Sequence, residues 1–214
     1  MTCTAWPLFD LVIRTPRLEL RIVREADALE LIELADHGIH DPATMPFAVP
    51  WTDVEAPERW YETMRWFGRS IAECRPGDFR LPFALRSEGV LVGVQDLLAP
   101  GFDGSRSVET GSWLGREHQG RGLGYEARIA ALTVAFDHLG ARCAATSGFA
   151  DNVASLRVTE KADYLPNGES LRPRRGEPAR MLHFLLTAER WAEVRPELPV
   201  SVDGFEGCRG LLGI

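Results

Sequence analysis

The chain has 214 residues, 45% of them apolar, and its 24 Lys and Arg against 31 Asp and Glu leave a formal charge of −7. That length and apolar share can bury one sizeable core, so a single domain over residues 1–214 is expected, with a core at about 15–190 and a tail at about 196–214. The acidic balance argues against a nucleic-acid partner, which needs a basic face for phosphate, and mildly favours an amine substrate.

In chain order, Leu18, Leu20 and Ile22 alternate with Glu19, Arg21 and Val23, which predicts a half-buried first strand. Asp27 to Ala35 places Leu31, Leu34 and Ala35 on one helical face. After a proline-rich loop, Pro57 to Glu73 carries Trp60, Met64, Phe67 and Ile71 at similar spacing, so two helices are expected. Phe83-Ala-Leu-Arg86 and Val90 to Leu98 read as the next two strands, with Gly104-Ser105 as a hairpin tip before a fourth strand, Val108 to Leu114. A helix from Leu123 to Leu139, a fifth strand from Ala141 to Phe149, a helix from about Asn152 to Lys161 and a closing strand from Met181 to Leu186 follow.

No apolar run approaches the ~20 residues that span a bilayer. Met1-Thr-Cys-Thr-Ala-Trp-Pro7 lacks the charged start and long apolar stretch of a secretory signal. A cytoplasmic protein without a membrane partner is therefore expected. Cys3, Cys74, Cys143 and Cys208 are scattered without CxxC spacing, which suits reduced thiols better than disulfides or zinc. His37 and His40 sit three apart but have no third ligand at a convincing spacing, so no metal is expected.

The most informative stretch is Arg116-Glu-His-Gln119-Gly-Arg-Gly122-Leu-Gly124-Tyr-Glu-Ala-Arg128, a glycine-rich turn between a strand and a helix. Gly120, Gly122 and Gly124 let backbone approach a ligand, and the N–H groups of a first helical turn can converge on an anion. Arg116, Arg121 and His118 add positive potential. The loop has no Gly-Lys-Ser/Thr ending, which sets aside a Walker reading. It also arrives past mid-chain, unlike the opening loop of a dinucleotide-binding fold.

Gln119-x-x-Gly122-x-Gly124 resembles the acyl-CoA pyrophosphate loop of the GCN5-related N-acetyltransferases (GNAT). Thr15-Pro-Arg17-Leu18-Glu-Leu20-Arg21 resembles the opening strand of the Rim-type branch, the ribosomal-protein N-terminal acetyltransferases. Gly111-Ser-Trp113-Leu114 resembles that branch's fourth strand, and Asn152-x-x-Ser155 followed by Glu160-Lys161 resembles its segment after the fifth. These landmarks cover about residues 15 to 190. Ala162-Asp163-Tyr164 departs from the family's usual Leu-Gly-Phe, and the tail after about Pro196 carries no landmark.

The resemblance implies an α/β GNAT fold: a mixed, mostly antiparallel central sheet, splayed between its fourth and fifth strands and flanked by helices. It implies acetyl-CoA as acyl donor, with Trp113, Leu114, Gln119, Gly120, Arg121, Gly122, Leu123, Gly124, Tyr125 and Asn152 as cofactor-binding residues. It also implies an amine acceptor, a protein N-terminus or a small molecule, that attacks the thioester directly, and a homodimer is expected, to which Trp191 could contribute.

In this reaction a base removes the amine proton, backbone N–H groups stabilise the developing oxyanion and an acid protonates the thiolate. Glu109, in the fourth strand, is the candidate base; the competing reading is an exposed strand acid paired with an arginine. The tyrosine many relatives use as acid is replaced by Thr159, so Ser155 becomes the candidate acid, its other reading being a helix first-turn serine that caps backbone. Asn152 either contacts the pantetheine amide or is only the helix N-cap. Tyr125 and Arg128 border the phosphates or are solvated helix surface, and Gln119 is more loop-shaping than catalytic.

Acceptor walls in this fold are implied at about 42–57 and 166–180. Phe47 and Trp51 would supply apolar walls and Asp53 a partner for an ammonium, against the alternative of a hydrophobic loop tucked under the sheet. Two functions compete: an N-acetyltransferase, and a non-catalytic acyl-CoA-binding or regulatory module that has lost efficient proton transfer.

Overall fold

The computed structural model describes residues 5–214; the first residues of the N-terminal segment and Cys3 lie outside them. Among the described residues nine strands form one sheet in the order β7-β8-β6-β5-β4-β3-β2-β1-β9. They are β1 (Val12–Arg14), β2 (Glu19–Ile22), β3 (Phe79–Ser87), β4 (Val90–Ala99), β5 (Ser107–Leu114), β6 (Cys143–Phe149), β7 (Leu165–Arg174), β8 (Glu177–Thr187) and β9 (Ser201–Asp203). All neighbours run antiparallel except β5 and β6.

Two helices, α1 (Glu25–Asp36) and α2 (Glu58–Ala72), cover one face, where Ala28 and Leu31 pack with Ala84, Val94 and, from α2, Met64 and Phe67. α4 (Leu123–Thr133) and α5 (Val153–Lys161) cover the other, and the main core of Leu81, Phe83, Leu97, Val108, Ala127, Ala131 and Ala144 lies beneath them. α4 runs on into a π-helical turn, Val134–His138. Gly104-Ser105 lies in the tip of the β4–β5 hairpin as expected, within a one-turn helix, α3 (Phe102–Ser105), that the fully buried Phe102 anchors.

The 166–180 segment, expected as loop, is the β7–β8 hairpin. Its Pro166, Gly168 and Pro173 argue against a strand, but β7 is the sheet's edge, where a missing N–H costs nothing. The tail extends the sheet: β9 pairs with β1, and α7 (Phe205–Leu212), which follows α6 (Ala188–Val194), buries Phe205, Cys208 and Leu212. No helix among the described residues is long and apolar enough to cross a membrane.

The feature that positions the site is the parting of β5 and β6. They pair only at Ser107 with Cys143, Val108 with Ala144 and Glu109 with Ala145, whereas β5 continues to Leu114 and β6 to Phe149. The two strands therefore splay beyond Thr110, as the fold expectation required.

Candidate active site at the splayed strands

The glycine loop enters α4 in the geometry an anion needs. Gly120 and Gly122 adopt left-handed φ values of 74° and 81°, conformations that favour glycine, and Gly122 is the N-cap. No side chain caps this helix, so its first N–H groups lack an internal partner. Gly124 is different: its φ is not positive, and a Cβ there would make ordinary contact with Leu114 Cδ1 at 3.7 Å. Leu123 is buried in the core, and Arg121 is exposed.

Three groups fix the loop. Gln119 Nε2 donates to Leu114 O (2.8 Å) and to Ile39 O (2.6 Å), so this side chain shapes the loop. Arg17 Nη1 donates to Arg121 O (2.8 Å), while its Nε and Nη2 hold Glu126 Oε2 at 2.7 and 2.6 Å. Thr15 Oγ1 and the Arg17 backbone N–H donate to the other Glu126 oxygen at 2.6 and 2.9 Å. Burial pushes the Glu126 carboxyl up, but Thr15, the Arg17 backbone and the Arg17 guanidinium together outweigh it and hold the group below its ordinary value. The Thr-Pro-Arg-Leu opening thus staples β2 to the first turn of α4 and neutralises an acid there.

The register shows which backbone groups face the splay. Gly115 N donates to Val92 O, so the β4–β5 ladder bonds fall at Val94/Trp113, Asp96/Gly111 and Leu98/Glu109. Ser112 and Leu114 therefore turn their backbone groups away from β4, toward the opening. Trp113, expected to bind cofactor, turns its backbone to β4, and its ring lies 5.6 Å from Trp51 on the α1/α2 face. Ser112, which the pattern of residues did not single out, presents its backbone to the opening instead.

On the opposite wall, the Ser155 hydroxyl lies beside Gly148 of β6: a Cβ on Gly148 would stand 3.4 Å from Ser155 Oγ. Asn152 Oδ1 accepts from Ser155 N (3.2 Å), which makes Asn152 the N-cap of α5 and leaves its amide nitrogen for other use. Thr159 is 2% exposed, so it offers no donor to the cleft. Tyr125 is half-buried with Lys161 Nζ 4.2 Å over its ring, and burial first and the Asp163 charge second raise its pKa.

Arg128 is not at the phosphates. It is 2% exposed, with Nη1 donating to Thr146 Oγ1 (3.3 Å) and its Nε without a partner. There it joins Thr110, Thr146 and Tyr164, whose hydroxyl lies 3.0 Å from Thr110 Oγ1, at the apex where β5 and β6 part. α4 is buried on nearly all sides, so this helix has no solvated face for Arg128 to use.

On the α1/α2 face, Phe47 and Trp51 have ring centroids 5.4 Å apart and Trp51 continues to Trp113, an aromatic wall on the same face as exposed Glu109. Asp53 does not wait for an ammonium: Arg175 donates to both its oxygens, at 2.7 and 2.6 Å, and that pairing holds its pKa down. Arg174 likewise takes Asp151 at 2.7 and 2.9 Å, so the basic hairpin tip latches onto the 42–57 loop and the turn after β6. His40 bonds Asp41 O and Thr52 Oγ1, and among the described residues no cluster of three or more His, Cys, Asp or Glu could hold a metal. Trp191 is 3% exposed and stacks on Phe136, so it is core and not an interface residue.

The model of the acetyltransferase (GNAT) domain matches residues 17–164, more than half of the chain. Among solved structures with the same fold are Mycobacterium smegmatis RimJ in complex with CoA-disulfide (20% identity, 95% of each chain covered, TM-score 0.72). RimL, the ribosomal L7/L12 alpha-N-protein acetyltransferase in complex with coenzyme A, shares 18% identity over 84% of this chain and 99% of its own, with a TM-score of 0.69. A GCN5-related N-acetyltransferase from Brucella melitensis aligns over 85% of this chain and 80% of its own at 19% identity and a TM-score of 0.64. With the splayed strands, the glycine-capped helix and this family match in agreement, the chain belongs to the GCN5-related N-acetyltransferase family.

Proposed function

We propose that the protein transfers an acetyl group from acetyl-CoA to a primary amine, either a protein N-terminus or a small-molecule amine, by direct attack. The observation that carries this reading is the uncapped, left-handed glycine entry to α4 beside the unpaired edge of β5. Backbone N–H groups from Gly120 to Tyr125 would hold the pyrophosphate, the edge of β5 at Ser112 and Leu114 the pantetheine arm, and the Asn152 amide nitrogen an arm carbonyl. Acetyl-CoA supplies an activated acyl carbon and a fair leaving group, so holding the two reactants together provides much of the rate.

The chain's own groups divide the rest. Phe47, Trp51 and Trp113 wall the amine's approach, Glu109 draws a cationic amine to the open face, and Ser155 donates toward the departing sulfur. The likeness to RimL, a ribosomal L7/L12 alpha-N-protein acetyltransferase, favours a peptide N-terminus as acceptor, and we take the cytoplasm as the place of action. The buried Thr159 favours a second reading, an acyl-CoA-binding module without turnover.

A thiol-release assay with acetyl-CoA over a panel of amines and peptide N-termini separates the two. Turnover supports the transferase, and CoA binding without turnover on any amine supports the module. A homodimer is also proposed, with β7, the sheet edge that exposes Leu165 and Leu171, as its surface; a monomeric mass by light scattering at micromolar concentration overturns it.

A further inference from the structure

Asp96 stands in the middle of β4, in the apolar run Val90-Leu-Val-Gly-Val-Gln-Asp-Leu-Leu-Ala99. In the sheet it is paired with Pro82 of β3 and Gly111 of β5. Directly opposed residues project to the same face, so the Asp96 carboxyl lies on the α1/α2 face, with Glu109 and Trp113 two residues to either side of Gly111. A Cβ added to Gly111 would meet no heavy atom within 4 Å, so the space above that glycine is open. The carboxyl therefore borders an open floor framed by Glu109 and by the Trp51–Trp113 wall. Its Oδ1 is enclosed and has no hydrogen-bond partner in the protein, a costly state that stability alone does not explain.

We infer that Asp96, rather than Glu109, is the proton acceptor of the acetyl transfer, reached from the amine through water. The inference rests on the acetyltransferase reading above. β4 stands one strand in from the strand that lines the opening, about 4.8 Å away, so the proton is relayed through water and not taken by direct contact. As the amine lone pair forms the C–N bond and the C–S bond breaks, the N–H proton passes to that water and the water's proton to Asp96. The thiolate takes a proton from Ser155, which recovers one from solvent, and Asp96 releases its own to solvent.

Burial pushes the Asp96 carboxyl up to about 6, with Arg80 on β3 pulling partly the other way. An acid with that affinity is ionised at neutral pH yet holds a proton far better than an exposed carboxylate, the balance general-base catalysis requires. The charged or titratable groups on this face are Arg80 and Glu109, Arg86 bound to Asp27 and Glu30 of α1, Arg21 and Glu19 of β2, and His183 of β8. α1 also turns Ala28 and Leu31 inward, and α2 Met64, Phe67 and Ser70; the acids of α1 that reach the sheet, Asp27 and Glu30, are taken by Arg86.

The test compares Asp96→Asn with Glu109→Gln, using acetyl-CoA and whichever amine or peptide of the panel turns over fastest. The wild type should show kcat rising through an apparent pKa near 6. Asp96→Asn should lose that limb and fall by about 100-fold at neutral pH, with acetyl-CoA affinity unchanged by calorimetry. Glu109→Gln should keep the limb and raise KM for cationic acceptors.

Retention of the limb in Asp96→Asn, or its loss in Glu109→Gln, overturns the inference while leaving the transferase intact. No wild-type turnover on any amine sinks the transferase and the base with it. Should Asp96→Asn not fold, carbon-13 NMR of the wild-type carboxyls decides: an aspartate titrating near 6 that follows the kinetic limb supports the assignment, and none in that range refutes it.

Discussion

Replacing Arg17 with alanine tests whether the Thr-Pro-Arg-Leu opening is a staple for the phosphate loop. The change removes two charged contacts to Glu126, at 2.7 and 2.6 Å, and one to Arg121 O at 2.8 Å. Glu126 keeps Thr15 and the residue 17 N–H, but its side chain is only 4% exposed and loses its counter-ion. Breaking a buried pair by removing one partner costs about 3–5 kcal/mol. Arg17 is 49% exposed, which screens the pair, so about 2 kcal/mol is expected after that discount. For a chain of this size that lowers Tm by roughly 4–8 °C.

The loss should depend on pH. In the wild type Glu126 is held below its ordinary 4.5, so its stabilising contribution is present above that value and fades as pH falls through the lower folded pKa. Without Arg17, burial prevails and the folded pKa rises, which adds a penalty that grows as pH climbs above the unfolded value. The Tm gap between wild type and Arg17→Ala should therefore be small near pH 4 and full by neutrality in differential scanning calorimetry. Acetyl-CoA affinity should drop by up to about tenfold as Arg121 O loses its donor. Arg17→Lys should recover part of the stability and little of the affinity, because one ammonium cannot reach Glu126 and Arg121 O in the guanidinium's fork. Equal melting at neutral pH, or a gap that does not change with pH, would refute the reasoning.

Gly122→Val should weaken acetyl-CoA binding by more than about tenfold by calorimetry, since φ of 81° is hostile to a β-branched residue. Gly124→Ala should bind nearly as well as wild type, because its Cβ has room against Leu114 and Val158. Arg175→Ala should release the 42–57 loop from the β7–β8 hairpin, raising acceptor KM and exposing that loop to limited proteolysis while acetyl-CoA affinity holds; an unchanged acceptor KM would count against the latch. Ser155→Ala should lower kcat with little recovery at high pH, measured as a pH–rate profile, because the departing thiolate still lacks its donor; wild-type kcat in this variant would remove Ser155 from the chemistry.

The glycine loop and its helix were legible because left-handed turns leave a compositional mark, as at Gly120 and Gly122, and the apolar helix that follows could be read by period. The hairpin β7–β8 was hidden by Pro166, Gly168 and Pro173, residues that veto a central strand but not an edge. β1 and β9 have three residues each, too few for any period to show, and they form because they pair with each other and with β2. In the site, composition pointed to β5 but could not say which residues face the splay, since that alternation depends on register; the Ser112 backbone faces the opening and the Trp113 backbone faces β4 for this reason. Asp96 was invisible because an acid in an apolar run reads as its solvent-facing member, and only the fold shows one of its oxygens enclosed without a partner. Asp53 read as a free acid because its partner, Arg175, stands 122 positions away.

The two carbonyls held by Gln119 belong to different halves of the proposed active site. Leu114 ends the strand that would receive the donor, whereas Ile39 opens the segment leading to Phe47 and Trp51. One amide group therefore joins the donor loop to the acceptor wall, reinforced by Arg116 N donating to Gly38 O. Ordering either side restrains the other, and such a linkage is reciprocal by thermodynamic necessity: whatever factor the acyl donor contributes to amine affinity, the amine returns to the donor. Coupling of this kind needs no moving lid, only the one amide that both sides share.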